Sequence, residues 1–202
     1  SQNQIGFIGA GNMGGALLAG IQAKKPEMST AAYDILPAAC EKARKLGATV
    51  YASIEELVQE SEMIVIAVKP QYFGDVFPHI REALQERKKI ISITPGFDFQ
   101  YLHEKLGDNA VFTRTIPNMP AMVGAGITLM SFEEALTPQE RQEIRSVFEC
   151  VGTVTEIPEH LLDAGMTGSS ASPAFTYMYI EALADGVVAL GIPRARAYEM
   201  CA

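Results

Sequence analysis

Phe7-Ile8-Gly9-Ala10-Gly11-Asn12-Met13-Gly14 is the stretch whose reading decides the fold. Ile5-Gly6-Phe7-Ile8 has the character of a buried strand, and Met13, Ala16, Leu17, Gly20 and Ile21 recur at helical spacing just after it. Strand, glycines and helix in that order have a physical logic. Gly9 permits a tight turn, Gly11 lets pyrophosphate approach the backbone, and Gly14 lets the helix start close against the strand. The unpaired N–H groups of the first helical turn then favour phosphate. The glycine pattern alone is weak, but here it carries the flanking strand and helix that the mechanism requires.

Outward from the loop, short apolar runs alternate with amphipathic stretches over roughly the first 115 residues, the pattern of a parallel sheet covered by helices on both faces. Met63 to Val68 and Ile90 to Ile93 read as central strands, and Gly126 to Met130 and Val154 to Ile157 as later ones. Ser53 with Glu56 predicts a capping box ahead of a helix from Ile54 to about Glu60. Thr137-Pro138-Gln139-Glu140 repeats that logic before a helix with Ile144, Val147 and Phe148 inward. The expected class is α/β, a Rossmann-type doubly wound parallel sheet over residues 1–158, followed by an all-α segment over 159–202 that is expected to be incomplete.

In such a sheet, ligands bind beyond the carboxyl ends of the strands. Asp34 ends the second strand-like run, where a carboxylate either accepts hydrogen bonds from an adenosine ribose or caps the next helix. Ile35, Leu36 and Pro37 follow, with no arginine to hold a 2′-phosphate, so the expectation within NAD(P)H leans to NADH. Ala67-Val68-Lys69-Pro70 ends another strand. Lys69 there either borders the crevice or is a solvated loop lysine, and Pro70 biases it toward extended backbone. Ser92-Ile93-Thr94-Pro95-Gly96 ends a third, its hydroxyls expected on the nicotinamide side, and Arg114 to Pro120 a fourth, with Asn118 supplying an amide.

Composition removes several classes. A net charge of -8 without a basic cluster argues against nucleic acid, and no window of eighteen uncharged apolar residues marks a membrane span. No basic leader precedes Ile5, and Cys40, Cys150 and Cys201 form no CxxC pair, so a cytoplasmic protein with reduced thiols is expected. His79, His103 and His160 stand without a matching Ser, Asp or Cys motif and are expected at the surface, which supports neither a hydrolytic triad nor a metal site. Ser172 to Leu190 is apolar nearly all round and cannot face water. Its cover is either a partner subunit or further residues of the same chain.

Four stretches in order carry a resemblance: Phe7 to Gly14, Ala67-Val68-Lys69-Pro70-Gln71, Arg114-Thr115-Ile116-Pro117-Asn118, and Glu181 to Gly186 with Gly191-Ile192-Pro193-Arg194. Over nearly its whole length the chain resembles pyrroline-5-carboxylate reductases. The resemblance implies reduction of the ring C=N of 1-pyrroline-5-carboxylate to L-proline with NADH or NADPH, and a helical C-terminal dimerisation segment that interlocks subunits into a dimer or higher homo-oligomer. It also implies cofactor contacts from Gly9, Ala10, Gly11, Asn12, Met13, Ala67, Val68, Lys69, Pro70 and the turn from Ile93 through Thr94 to Gly96. Glu159 and the segment from Ser169 to Pro173, Ser172 included, are implied to lie near substrate. Two stretches depart from the family pattern: Thr94-Pro95 stands where Ala-Ala is usual, and Ser169-Ser170-Ala171-Ser172-Pro173 where Ser-Gly-Ser-Gly-Pro or Ser-Gly-Ser-Ser-Pro is usual. The family's later threonine-bearing segment and closing helices are not among these 202 residues, so the catalytic half is expected to be incomplete, and the activity of this stretch alone stays open.

An imine accepts hydride more readily when its nitrogen is protonated, with hydroxyl or amide donors orienting it and backbone N–H groups holding the carboxylate. Ser172, expected at a helix start before Pro173, either holds that anion or is a plain N-cap. No ionisable side chain stands out as proton donor. Two other functions stay open on the sequence: a reductase of another imine or a hydroxyacid, and an NAD(P)-binding relative with little or no catalysis.

Overall fold

The computed structural model describes residues 3–202. The first half of the chain alternates strand and helix: β1 (Asn3–Ile8), α1 (Asn12–Lys24), β2 (Thr30–Tyr33), α2 (Pro37–Lys45), β3 (Thr49–Val50), α3 (Ile54–Gln59), β4 (Ser61–Ile66), α4 (Phe73–Ala83), β5 (Lys88–Ser92), α5 (Phe99–Leu106) and β6 (Ala110–Pro117). It continues through β7 (Gly126–Phe132), α6 (Pro138–Phe148) and β8 (Gly152–Glu156) into the helices α7 (Leu162–Met166), α8 (Ser172–Ala189) and α9 (Arg194–Cys201).

All eight strands join one sheet in the order β3-β2-β1-β4-β5-β6-β7-β8. The strand order reverses beside β1, which pairs with β2 through Ile5↔Thr30 and with β4 through Ile5↔Met63. That reversal opens a crevice at the strands' carboxyl ends. The expectation of a parallel sheet needs one correction. β6 and β7 pair antiparallel, Arg114 opposite Ser131, and β8 runs parallel to β7, so the last two strands oppose the others. Asn118–Ala125 holds only a 3₁₀ turn at Met119–Val123, whereas a parallel return needs a crossover of about a dozen residues.

Strand limits also shift. The strand expected at Met63 begins at Ser61 and stops at Ile66, where its ladder with Ile8 ends. The one expected at Ile90 begins at Lys88. Charge hid that start: Lys88 is buried with its ammonium on Glu86, 2.7 Å away, and Lys89 reaches Glu143 at 2.9 Å. The last strand is Gly152–Glu156 rather than Val154–Ile157.

One face of the sheet packs α1, α2 and α6 through Leu17, Leu18, Ile21, Ala43, Ile144, Val147 and Phe148. The other packs α3, α4 and α5 through Leu57, Val58, Phe77, Ile80, Leu102 and Leu106. Helix ends follow sequence chemistry. Ser53 Oγ accepts the Glu56 N–H at 3.2 Å, but Glu56 reaches back to the Ala52 N–H, which leaves the expected box half made. At α6 the box closes, Thr137 Oγ1 accepting from Glu140 N and Glu140 from Thr137 N.

Glu140 also receives Arg87 Nη1 at 2.6 Å, and chiefly this guanidinium holds its carboxyl at about 2 against the usual 4.5. A depressed carboxylate stabilises the fold above pH 4.5 and loses that contribution as pH falls toward 2. Glu140→Gln should therefore lower stability by about 1 kcal/mol at neutral pH, a value discounted because Arg87 is half-exposed. Melting curves of both proteins should converge between pH 4.5 and 2; a constant offset down to pH 2 would contradict the assignment.

From Glu159 onward the described chain is helical. Leu162 docks against Ile116 and Leu129 of the sheet, but α8 leaves it. Ala184 is the residue of α8 that becomes buried, and α9 buries Ala197. Asp185 accepts from Arg194 at 2.6 Å and ties the two helices together. Phe175, Tyr177, Met178, Tyr179 and Leu183 all lie exposed.

Candidate functional site

The glycine loop has the three roles its spacing implies. Gly9 takes φ +100°, a left-handed value that strains any side chain, and a Cβ there would lie 2.8 Å from the Ala67 carbonyl oxygen. A Cβ on Gly14 would stand 2.2 Å from the Gly9 carbonyl oxygen, so helix and loop touch backbone to backbone. Around Gly11 a Cβ would meet nothing within 4 Å, the open approach a pyrophosphate needs. Gly11 is the N-cap of α1 with no side-chain capping bond, and the first turn carries no acidic residue. These N–H groups and the helix dipole therefore point at open space suited to an anion.

Asp34 braces this loop from the end of β2. Its Oδ2 accepts the Ala10 N–H and its Oδ1 the Leu36 N–H, each at 2.8 Å. It is not the cap of α2, whose N-cap is Leu36. A carboxylate has about four acceptor positions, so two oxygens so engaged keep capacity for a ribose hydroxyl. Two clefts flank the loop. One, of about 330 Å³, is lined by Asp34, Ile35, Val68, Tyr72, Asp75 and His79. The other, of about 400 Å³, lies between α1 and α2 and reaches Leu36, Lys42 and Met122. Sequence reading missed Tyr72, Asp75 and His79. The spacing of Asp75 and His79, one helical turn apart, was the available signal.

The ends of β4, β5 and β6 lie side by side on the same edge. Lys69 is extended, at φ −68° and ψ 150°, and exposed. The hydroxyls expected on the nicotinamide side brace the framework instead. Ser92 and Thr94 are buried, Ser92 Oγ accepts the Thr94 N–H, and Thr94 Oγ1 donates to the Val68 carbonyl at 3.4 Å. Thr94 thus links the ends of β4 and β5, with Gly96 at φ +88° turning the chain away.

Glu159 lies in an ion pair with Arg114 of β6, Nη1 to Oε1 at 3.0 Å, and the same oxygen accepts the Phe99 N–H of α5 at 2.7 Å. Arg114 is buried, and its Nε has no partner among the described residues. Forty-five positions separate this pair, which no local pattern reveals.

Ser172 corrects an expectation. The chain runs helically from Leu162 through a π-helical turn at Thr167–Ala171 into α8, and Ala171 before Ser172 is itself helical. There is no free helix start at Ser172. Its hydroxyl donates back to the Gly168 carbonyl, so it neither caps nor offers a terminal anion site. Ser169 and Ser170 within the π turn have buried hydroxyls without a partner among the described residues.

The histidines are not all surface groups. His79 is exposed beside Glu55, but His103 is half-buried, 2.5 Å from Glu133 and edge-on to Phe112. Cys40, Cys150 and Cys201 are free thiols, and burial pushes the Cys150 thiol up.

A glycine cradle at a strand-order reversal, an uncapped helix start and a carboxylate ending β2 define a dinucleotide-binding protein of the Rossmann class. Residues 4–96 match the family described as NADP oxidoreductase coenzyme F420-dependent, and residues 159–202 match pyrroline-5-carboxylate reductase dimerisation. The chain is 33% identical to the pyrroline-5-carboxylate reductase of Escherichia coli (strain K12), over 100% of its own length and 76% of the relative's. It is also similar to the crystal structure of a Plasmodium falciparum pyrroline carboxylate reductase with NADP bound, at 29% identity and a TM-score of 0.85, covering 98% of this chain and 74% of that one. A Coxiella burnetii pyrroline-5-carboxylate reductase structure shares the fold at a TM-score of 0.91 and 23% identity, over 100% of this chain and 76% of that one. The chain belongs to the pyrroline-5-carboxylate reductase family.

Proposed function

We propose that this protein reduces 1-pyrroline-5-carboxylate to L-proline with NAD(P)H. The observation that carries the reading is similarity along the whole of this chain, and 76% of the relative, to a reductase of that name, on a chain whose glycine cradle is open at Gly11. The nicotinamide supplies the hydride. Gly9, Ala10, Gly11, Asn12 and Met13 hold the pyrophosphate, and Asp34 fixes their geometry and accepts from the adenosine ribose. Ala67, Val68, Lys69, Pro70, Thr94 and Gly96 shape the cofactor groove. On the substrate side, Ser169, Ser170 and Ser172 come from the π turn and the start of α8, and Glu159 is held at the end of β6 by Arg114. Polar, non-ionisable groups orient the imine there, and its proton comes from water or from the substrate itself.

Among the described residues no Lys or Arg lines the Asp34 cleft, and Asp75 adds a second carboxylate. This supports NADH over NADPH, because a 2′-phosphate would meet negative charge. The test is pyrroline-5-carboxylate turnover by the full-length protein with each nucleotide, scored by proline formed. Proline formation is expected with both, and kcat/KM about tenfold higher with NADH, a difference of about 1.4 kcal/mol. Nucleotide binding with no proline formed would overturn the reading, and equal efficiencies would remove the NADH preference.

Within this reading residues 1–158 form the dinucleotide domain and 159–202 belong to the substrate and assembly segment. Among the described residues no helix is long and apolar enough to cross a membrane. Free thiols support a cytoplasmic enzyme. A second copy of the chain covers α8, since burying its five exposed large apolar side chains is worth on the order of 5–10 kcal/mol. Phe175→Glu with Tyr179→Glu is expected to give a monomer in sedimentation, whereas a dimer unaffected by both charges would refute this surface.

A further inference from the structure

We propose that Asn118 is a positioning residue that sets the substrate-side π turn against the strand ends; the proposal rests on the reductase reading. A π turn widens the helix and frees carbonyls from the regular ladder, and such turns recur at functional sites. Here two neighbouring carbonyls of the turn are satisfied by side chains. Ser172 Oγ donates to the Gly168 carbonyl, and Asn118 Nδ2 donates to the Ser169 carbonyl at 2.8 Å.

Asn118 is buried and doubly committed. Its Oδ1 accepts the Ile127 N–H at 2.9 Å, which fixes which end of the amide is which and leaves the Nδ2 facing the turn. It directly follows β6, whose carboxyl end lies on the edge that carries Gly9 to Asn12. The one side chain therefore joins the end of β6, the start of β7 and a helical turn 51 positions later. The turn it holds presents Ser169 and Ser170, buried hydroxyls without partners among the described residues. Hydroxyls left unpaired in this way cost free energy unless a ligand completes them. Asn118 governs where those hydroxyls point without touching the reacting atoms.

Asn118→Asp is the informative change, because its carboxylate keeps the acceptor for Ile127 N–H and loses the donor to Ser169. Wild-type turnover of pyrroline-5-carboxylate is scored first, and its absence refutes the reductase reading and this proposal together. With an active wild type, the expected result is a loss in kcat/KM on the order of 100-fold, seen in kcat and in KM for the imine, with NADH affinity unchanged. Asn118→Gln, which restores the donor on a longer arm, should recover part of it. An Asn118→Asp enzyme as active as wild type refutes the positioning role alone. Equal losses of nucleotide and imine binding also refute it, since a merely structural residue would produce them. Should Asn118→Asp fail to fold, the side-chain amide resonance of Asn118 in the wild-type protein decides. It should move on addition of L-proline, and an unmoved signal at saturating proline overturns the proposal.

Discussion

Gly14→Ala is expected to abolish dinucleotide binding and lower the melting temperature by roughly 5–10 °C, whereas Gly11→Ala leaves the melting temperature unchanged and weakens dinucleotide binding by about 10- to 100-fold. The same methyl group meets two different surroundings. On Gly14 it would lie 2.2 Å from the Gly9 carbonyl oxygen, and backbone cannot swing aside as a flexible side chain does. The start of α1 must then lift from the loop that Asp34 holds through Ala10. The higher helix propensity of alanine returns only about 1 kcal/mol. On Gly11 the methyl group enters space empty to 4 Å, so the protein without ligand does not feel it. The pyrophosphate would. Calorimetric titration with NADH beside a thermal melt separates the two, and a Gly11→Ala protein that binds like wild type would show that the loop is not the phosphate site.

The second large effect is at the pair of buried Arg114 with half-buried Glu159. Glu159→Ala should cost about 2–3 kcal/mol, because it leaves the buried Arg114 guanidinium without its carboxylate. It also removes the acceptor of the Phe99 N–H at the start of α5. Arg114→Met combined with Glu159→Ala should recover part of that loss, since the stranded cation is gone and the methionine fills its place. Denaturant unfolding of the single and double variants measures the coupling. Losses that simply add would mean that Arg114 and Glu159 do not depend on one another.

The glycine loop was legible because its constraints are local: a turn, an open approach and a close contact, all set by residues at fixed offsets from Gly9 to Gly14. Asp34 was legible as a position at the end of β2, but its grip on Ala10 was not, because that bond spans the first βαβ unit. The two reversed strands escaped notice because Gly126 to Phe132 has the same apolar character whichever way it runs. Ser172 before Pro173 looked like a helix start, since proline tolerates a first turn. Here the preceding π turn keeps the backbone helical through Ala171, which no composition signal distinguishes from a break. The partnerships of Glu159 with Arg114 and of Asn118 with Ser169 depend on the completed topology. Sequence spacing carries no trace of them.

The helical arm formed by α8 and α9 buries so little of itself that its order is a mass-action quantity. Hydrogen exchange of amides in α8 should slow as protein concentration rises, while amides in β1 and β4 stay indifferent to dilution. The concentration at which the two classes separate would report the association constant directly, with no need to follow catalysis.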